Sequence, residues 1–454
     1  MASIVEPITE SFGAEFKEKW PIVLVAYLMM LFAFGFPTFA LPFVYAGAID
    51  EFGWARQTAV ALASYKFYTS AVASLVVGRL LDTIDPKFLV AACATLGGLG
   101  MIGFMAADTL PAYYLVGVVL GLNAAGMAVS MNFVVCRSFE RATGMALGIV
   151  LAGTSTAGVL VPLIVAPLMQ SVGWRSAMMI MSLGIWLVSI PAWLLLLRKG
   201  QRLGDALRAP ENRPRPSDMW GHFKALAVTR NFWFIFIGIF LVSAVDQGLL
   251  QNQVLFLRDE KGLDLETVAW GASLLAAIGI GSKILFGWAY DRVSISGIVF
   301  CYFLLSVSAG LSFAVTGVAT MILFMMTRGF AHGGLIVDGP VLAKHYYGPQ
   351  NVGLNIGLFT LCTSVGFGFG PTFLAGLADS SDSYLGGFGI AAGAALLATL
   401  LLYPIKPRFW QRPEKLKHGV LIFAGVGLAA LVGAPLLVGL LVELFRGIAL
   451  IFGT

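Results

Sequence analysis

The chain has 454 residues, 58% of them apolar and 12% charged, with a formal net charge of +5 and a mean hydropathy of +0.87. A soluble domain carries about 25% charged residues, so there is too little polar surface here to coat a water-soluble globule. That excludes a cytosolic enzyme or a nucleic-acid binder and leaves a chain whose solvent is mostly lipid. Helices and closed barrels are the structures that span lipid, because every backbone polar group must be satisfied internally there. The apolar runs are about 20 residues or more, which is helix length, where barrel strands would be about 10 and alternating. The predicted fold class is an all-α membrane protein.

Residues 1–20 are charged and contain no apolar core, so they do not read as a signal peptide, and 8–19 could form a short amphipathic surface helix. Six spans are predicted next, at 21–46, 58–82, 87–107, 111–136, 144–169 and 174–198, forming a first half over 21–198. The longest polar segment, 199–230, is rich in Arg and Pro and reads as a cytoplasmic linker. A second half over 231–405 holds spans at 231–256, 267–290, 297–316, 320–346, 350–378 and 386–405. Beyond it, 406–454 carries a basic stretch and then Gly419–Val442, which has no charge and is long enough for a thirteenth crossing. A helix bent at Pro435 that returns to the same face is the alternative.

Lys and Arg fix the orientation. Twenty lie on one side: Lys17, Lys19, Lys87, Arg137, Arg141, the eight from Arg198 to Arg230, Arg292, Lys344 and the five from Lys406 to Lys417. Four lie on the other, Arg56, Arg175, Arg258 and Lys261. This places the N-terminus and the linker in the cytoplasm, and explains the net charge without a nucleic-acid patch.

The halves are copies. At an offset of 209 residues Asp50-Glu51-x-Gly53 meets Asp259-Glu260-x-Gly262, and Ala63-Ser64 meets Ala272-Ser273. Gly78-xxx-Asp82 meets Gly287-xxx-Asp291, and Thr154-Ser155 and Pro162 meet Thr363-Ser364 and Pro371. Two six-helix repeats joined by a cytoplasmic linker are a transporter architecture, with the substrate site near the midplane.

With these segments in view, the chain resembles the major facilitator superfamily. Gly78-Arg-Leu-Leu-Asp82 and Gly287-Trp-Ala-Tyr-Asp291-Arg292 resemble its loop 2–3 and loop 8–9 signature, although Thr83 replaces the basic residue that usually follows the first Asp. Glu51-Phe-Gly-Trp54-Ala-Arg56 is similar to the segment after span one in the bacterial branch of monocarboxylate-transporter-like and oxalate:formate-antiporter-like members. The resemblance implies a cation in span eight, four positions before the signature Gly, that binds the substrate carboxylate. Lys283 holds that position, where the family more often has Arg. Lys keeps the charge but loses the bidentate geometry. The Asp four residues before that cation in eukaryotic members is Gly279 here, span one has no Lys, and 350–378 has no charge. The resemblance therefore carries over one binding residue and no coupling residue.

Ionisable groups at depth are expensive and usually face the bundle interior. Besides Lys283, span ten carries Arg328, with His332 one turn deeper, and span seven carries Asp246 followed by Gln247, Gln251 and Gln253. Arg328 and His332 read either as anion contact and titratable neighbour or as structural partners of Asp246. Asp246 reads as the proton-coupling candidate, or as half of a permanent ion pair with Arg328 or Lys66. Lys66 in span two and Asp338, just before Gly339-Pro340, read as gate or structural charges, as do the signature residues Asp82, Asp291 and Arg292. Asn123, Thr154 and Gln247 could add substrate hydrogen bonds or serve as packing glue. Three cations against two carboxylates give a cavity with a positive excess, which favours an anionic substrate.

The histidines are scattered, the cysteines Cys93, Cys136, Cys301 and Cys362 stand singly, and no GxSxG, HExxH or phosphate-loop motif occurs in a usable context. No catalytic residue, metal or cofactor is expected. The reading is a multi-pass inner-membrane transporter of a small organic anion, a monocarboxylate by class, moved by alternating access with protons as partner. An anion exchanger, a drug exporter and a non-transporting sensor on the same scaffold are the alternatives.

Overall fold

A computed structural model of the chain describes residues 19–83, 85–138, 143–199, 221, 224, 226–347 and 352–409. All regular elements among these residues are helical. Span one is Lys19–Phe52, span two Arg56–Thr83, span three Pro86–Ala106 and span four Leu110–Ser138. Spans five and six form a continuous run from Thr143 to Lys199, broken at Gly173 (φ 80°, ψ 159°). Span seven is Arg230–Glu260, span eight Leu265–Val293 and span nine Ile295–Ala314. Span ten is two helices, Val318–Leu335 and Asp338–Tyr347, bent by 42° at Ile336–Val337. Span eleven is Val352–Ser381 and span twelve Tyr384–Leu402. This is the expected twelve-helix layout. The proposed thirteenth crossing at 419–442 lies outside the described residues.

The helices overrun their apolar stretches. The sequence pattern ends spans one and seven at 46 and 256, whereas the helices continue to Phe52 and Glu260. Each continues until a glycine with positive φ stops it, Gly53 at 64° and Gly262 at 66°. The next helix then starts on its own signal. Asp264 caps span eight by accepting from the Thr267 N–H at 2.8 Å and the Thr267 hydroxyl at 2.6 Å. The Thr267 hydroxyl and then its N–H hold the exposed Asp264 carboxyl below the usual carboxylate range.

The internal repeat survives in geometry at several matched positions. Gly53 and Gly262 are 209 residues apart, and so are the positive-φ residues Gly173 and Asp382 that separate spans five and six and spans eleven and twelve. Glu51 accepts from the Trp174 indole at 2.7 Å. Its repeat mate Glu260 accepts from Ser383, the mate of Trp174, at 3.1 Å. Ser64 donates to the Gly368 carbonyl, and its mate Ser273 donates to the carbonyl of Val159, the mate of Gly368. The serine donor is common to the last pair and the acceptor is a backbone carbonyl in both, so the bond survives although Gly368 and Val159 differ.

By contact density the chain divides into two units. Unit one holds Met1–Ala40, Thr69–Ala157 and Arg175–Arg213. Inside it, buried polar groups tie neighbouring spans: Asn123 donates to the Cys93 carbonyl at 2.9 Å, Tyr27 to Thr156 at 2.9 Å, and Trp193 to the Lys87 carbonyl at 3.0 Å. Unit two holds Leu41–Tyr68, Gly158–Trp174 and Pro214–Thr454. Its loop 1–2 end carries a ring of polar pairs. Asp379, near the end of span eleven, caps the start of span two by accepting from the N–H groups of Arg56 and Gln57 at 2.9 and 2.7 Å. Arg56 also reaches Asp382 at 3.2 Å, and Arg258 grips both oxygens of Asp50 at 2.7 and 2.9 Å.

Candidate functional site

Within unit two, three helices bring ionisable side chains together well away from that end. Asp246 of span seven is 2% exposed and Arg328 of span ten is fully buried. Arg328 Nη1 donates to Asp246 Oδ1 at 2.7 Å, and Nη2 to the Asp246 backbone carbonyl at 2.5 Å. His332, one turn along span ten, places Nδ1 3.0 Å from both Asp246 carboxylate oxygens. The i, i+4 spacing of Arg328 and His332 puts both on one helix face, so a single carboxylate engages both. This is the ion-pair arrangement that the sequence left open for Asp246, made with Arg328.

The polar chain continues along span seven. Gln247 donates to Asp246 Oδ2 at 3.5 Å, Gln251 to Gln247 at 3.2 Å, and Tyr45 of span one to Gln251 at 2.9 Å. A hydrogen-bonded ladder therefore runs His332, Asp246, Gln247, Gln251, Tyr45. Tyr45 was not singled out by the sequence. The signal that could have found it is a phenol in an apolar stretch of span one, since a buried tyrosine hydroxyl needs a partner.

Lys283 is half-buried on span eight and lies within the electrostatic reach of Asp246. Span eight passes close to span ten here. A Cβ added at Gly279 would sit 3.7 Å from the Gly329 carbonyl and 3.9 Å from His332 Cδ2. Lys283 is one turn from Gly279 and so leaves the helix on the same side. A side chain at Gly329 would collide with the Leu275 carbonyl, so glycine sets the approach of these two spans.

Two donors of the Arg328 guanidinium are committed to Asp246, while Nε is buried with no hydrogen-bond partner among the described residues. The Gln253 and Asn252 side-chain oxygens on span seven are likewise buried and unmatched. Buried polar atoms are normally paired, so these three mark places where a ligand or water could bind.

Lys66 is 1% exposed, with its ammonium 5.4 Å from the centre of the Phe67 ring. Asp338 begins the second half of span ten and accepts from Tyr302 at 2.7 Å. In unit one, Asn123 uses its amide N–H to join spans three and four. Thr154 donates to the Leu151 carbonyl of its own helix at 2.8 Å. The side chains of Asp82, Asp291 and Arg292 lie outside the described part of the structure.

A family model described as Major Facilitator Superfamily matches residues 23–331 and 254–452. An MFS transporter, asaE, from Aspergillus flavus is 26% identical over 64% of this chain and 64% of its own length. Monocarboxylate transporter 12 from Xenopus laevis is 23% identical over 64% of this chain and 67% of its own. The chain thus spans 64% of the length of the fungal relative. Among solved structures, an inward-facing, unoccupied bacterial homolog of the human lysosomal transporter Spinster superposes with a TM-score of 0.65 at 14% identity, covering 96% of this chain and 99% of that one. A point mutant of the nucleoside transporter NupG gives 0.69 at 14% identity, covering 84% and 99%. With the family model matching most of its length and the twelve-helix fold in agreement, the chain belongs to the Major Facilitator Superfamily.

Proposed function

We propose that this chain is a proton-coupled transporter of a small organic anion, a monocarboxylate by chemical class. The observation that carries the proposal is the buried Asp246–Arg328–His332 cluster with Lys283 beside it. Two cationic side chains and an imidazole stand around one carboxylate, so the group can hold a second carboxylate, the substrate's. The likeness to monocarboxylate transporter 12 supports the same class.

The bond pattern suggests how proton and anion are linked. A proton reaching His332 Nδ1 lies between both Asp246 oxygens. Its transfer to Asp246 neutralises that carboxylate and frees the Arg328 Nη1–H from its ion pair. The freed donor, the unmatched Nε and Lys283 then bind the substrate carboxylate, with Gln247 next to them. The loaded site holds one proton and one anion and adds no net charge. When the substrate leaves, Arg328 recaptures Asp246 and the proton is released. Exchanging one carboxylate for another in this way spares the bundle an unpaired ion within the lipid.

In this reading the halves 21–198 and 231–405 rock about the site, and Lys66, Asp338, Asp82, Asp291 and Arg292 serve the gates. Asn123 and Thr154 would contact substrate only if their helices turn them toward it. In this reading the membrane is the cell's inner membrane, and the 20 to 4 distribution of Lys and Arg supports an N-terminus inside. Chemistry on the substrate is not part of the cycle.

The test is uptake of labelled small monocarboxylates into proteoliposomes under an inward acid gradient, with Asp246→Asn in parallel. Asn mimics the protonated carboxyl, so the variant should keep substrate exchange and lose gradient-driven accumulation. Accumulation that ignores a protonophore would replace symport by anion exchange. Binding without flux would point to a sensor, and flux of cationic amphiphiles in place of carboxylates to an exporter.

A further inference from the structure

Span ten holds a second buried carboxylate to which the cycle above assigns no proton. Asp338 is 6% exposed, at the first position after the 42° break. Its environment differs in kind from that of Asp246. Its partners are the Tyr302 hydroxyl of span nine at 2.7 Å and the N–H of Gly339. The titratable groups that face it from the packed helices are Tyr290 of span eight, Cys301 and Tyr302 of span nine, and Cys362 of span eleven. All four are uncharged at neutral pH. From span seven the group that acts on it is Asp246, an anion.

On span ten itself, His332 is committed to Asp246. His345 pairs with Ser294 at 2.9 Å, and Lys344 is exposed, six residues or about 9 Å of helix rise away. Among the described residues no cation lies within ion-pair distance of Asp338. An isolated ionised carboxylate in such a place costs far more than its neutral form, because neither lipid nor apolar side chains replace its water. The helix N-terminus at Asp338 offsets part of that cost, but a terminal dipole offsets only a small part of it.

The surroundings also hold the bend. Tyr290 donates to the Gly334 carbonyl at 3.1 Å and Cys301 to the Ala331 carbonyl at 3.4 Å, both just before the break. Tyr302 then fixes Asp338 just after it. Ile336, at the break itself, is half-exposed. Three side chains from spans eight and nine thus grip span ten across its hinge, and the last grip is on a group that can change charge.

We propose that Asp338 is a second proton-binding site, protonated in this conformation and emptied when the break at Ile336–Val337 moves and exposes it. The proton sits on the carboxyl, leaving its carbonyl oxygen to accept from Tyr302. Loss of the proton creates an anion that must reach water, which drives the second half of span ten outward from spans nine and eleven. The protonation itself stands independently of the transport reading. Its consequence, an extra proton coupled to the motion of span ten, rests on that reading.

Infrared spectroscopy of the purified protein at neutral pH tests the site without a substrate. A buried protonated carboxyl gives a C=O stretching band separate from those of carboxylates and amides. That band should be present in the wild type, absent in Asp338→Asn, and retained in Asp246→Asn. In Tyr302→Phe it should persist at a higher frequency, because the hydrogen bond to its oxygen is gone. A spectrum that is the same in wild type and Asp338→Asn would overturn the proposal. If Asp338→Asn does not fold, the Tyr302→Phe shift decides, and an unshifted band overturns it equally. In proteoliposomes, Asp338→Asn should carry fewer protons per substrate while still transporting. Unchanged stoichiometry with a positive infrared result would overturn the coupling and limit Asp338 to a proton site outside the cycle. Absence of flux in every variant and in the wild type would count against the transport reading alone.

Discussion

Two Arg–Asp pairs in unit two have the same shortest distance and opposite surroundings. Arg328 and Asp246 meet at 2.7 Å with side chains 0% and 3% exposed. Arg258 and Asp50 meet at 2.7 Å with side chains 19% and 61% exposed. Distance therefore says nothing about what each pair is worth. The buried pair has left its water behind, so each partner depends on the other's charge. The exposed pair can exchange its partner for water and counterions at little cost. In the proposed cycle, a pair of the first kind would change state when a proton or anion arrives, and a ring of the second kind would let its end open and close without a large barrier.

The largest way to break the comparison is Arg328→Ala. It strands a buried carboxylate and should lower stability by about 3–5 kcal/mol, read as thermal unfolding of the detergent-solubilised protein. Asp246→Asn with Arg328→Gln removes both charges together and should recover much of that loss. If the double variant is no better than the single one, packing and not charge makes the cluster valuable. An intermediate effect is expected at the cap of span eight, where Asp264→Ala should cost about 1 kcal/mol. The Asp264 carboxyl titrates below its usual range when folded. Its contribution is therefore complete above the unfolded value, about pH 4, and fades as pH falls through the lower folded value. A pH series of the wild type against Asp264→Ala should show the two curves converging only in acid. The smallest effect belongs to Arg258→Ala, about 0.2–1 kcal/mol. It should shrink further as salt is raised, since screening acts within about 8–10 Å at ordinary ionic strength. A loss at Arg258 as large as that at Arg328 would erase the distinction drawn from burial.

Much of the fold was legible because lipid imposes a simple rule. A run of about 20 apolar residues must be a helix, and the 209-residue offset exposed the repeat before any geometry. The same offset holds where the chain turns, since Gly53 and Gly262 occupy equivalent positions and adopt equivalent φ angles. The helix ends were less legible. Hydropathy marks where lipid stops, while a helix stops where its backbone is interrupted, so Asp50, Glu51, Asp259 and Glu260 lie inside helices that the apolar pattern had already ended.

The candidate site was legible as a list of residues and not as an arrangement. Rarity in apolar surroundings was enough to pick out Asp246, Lys283, Arg328 and His332. Helix periodicity placed Arg328 and His332 on one face. Which of the available cations Asp246 would choose was open, because residues 82 positions apart meet only through the packing of span seven on span ten. Glycines such as Gly279 and Gly329 set how closely spans eight and ten approach, and that too is a property of two helices together. Composition and periodicity, which are local, determined that this chain crosses a membrane as two repeated sets of six helices with charges held at depth. Tertiary structure decided which charge answers which, gave Asp246 an arginine and Asp338 a tyrosine, and joined Tyr45 to the ladder, because pairing depends on the side chains that distant helices bring within about 3 Å.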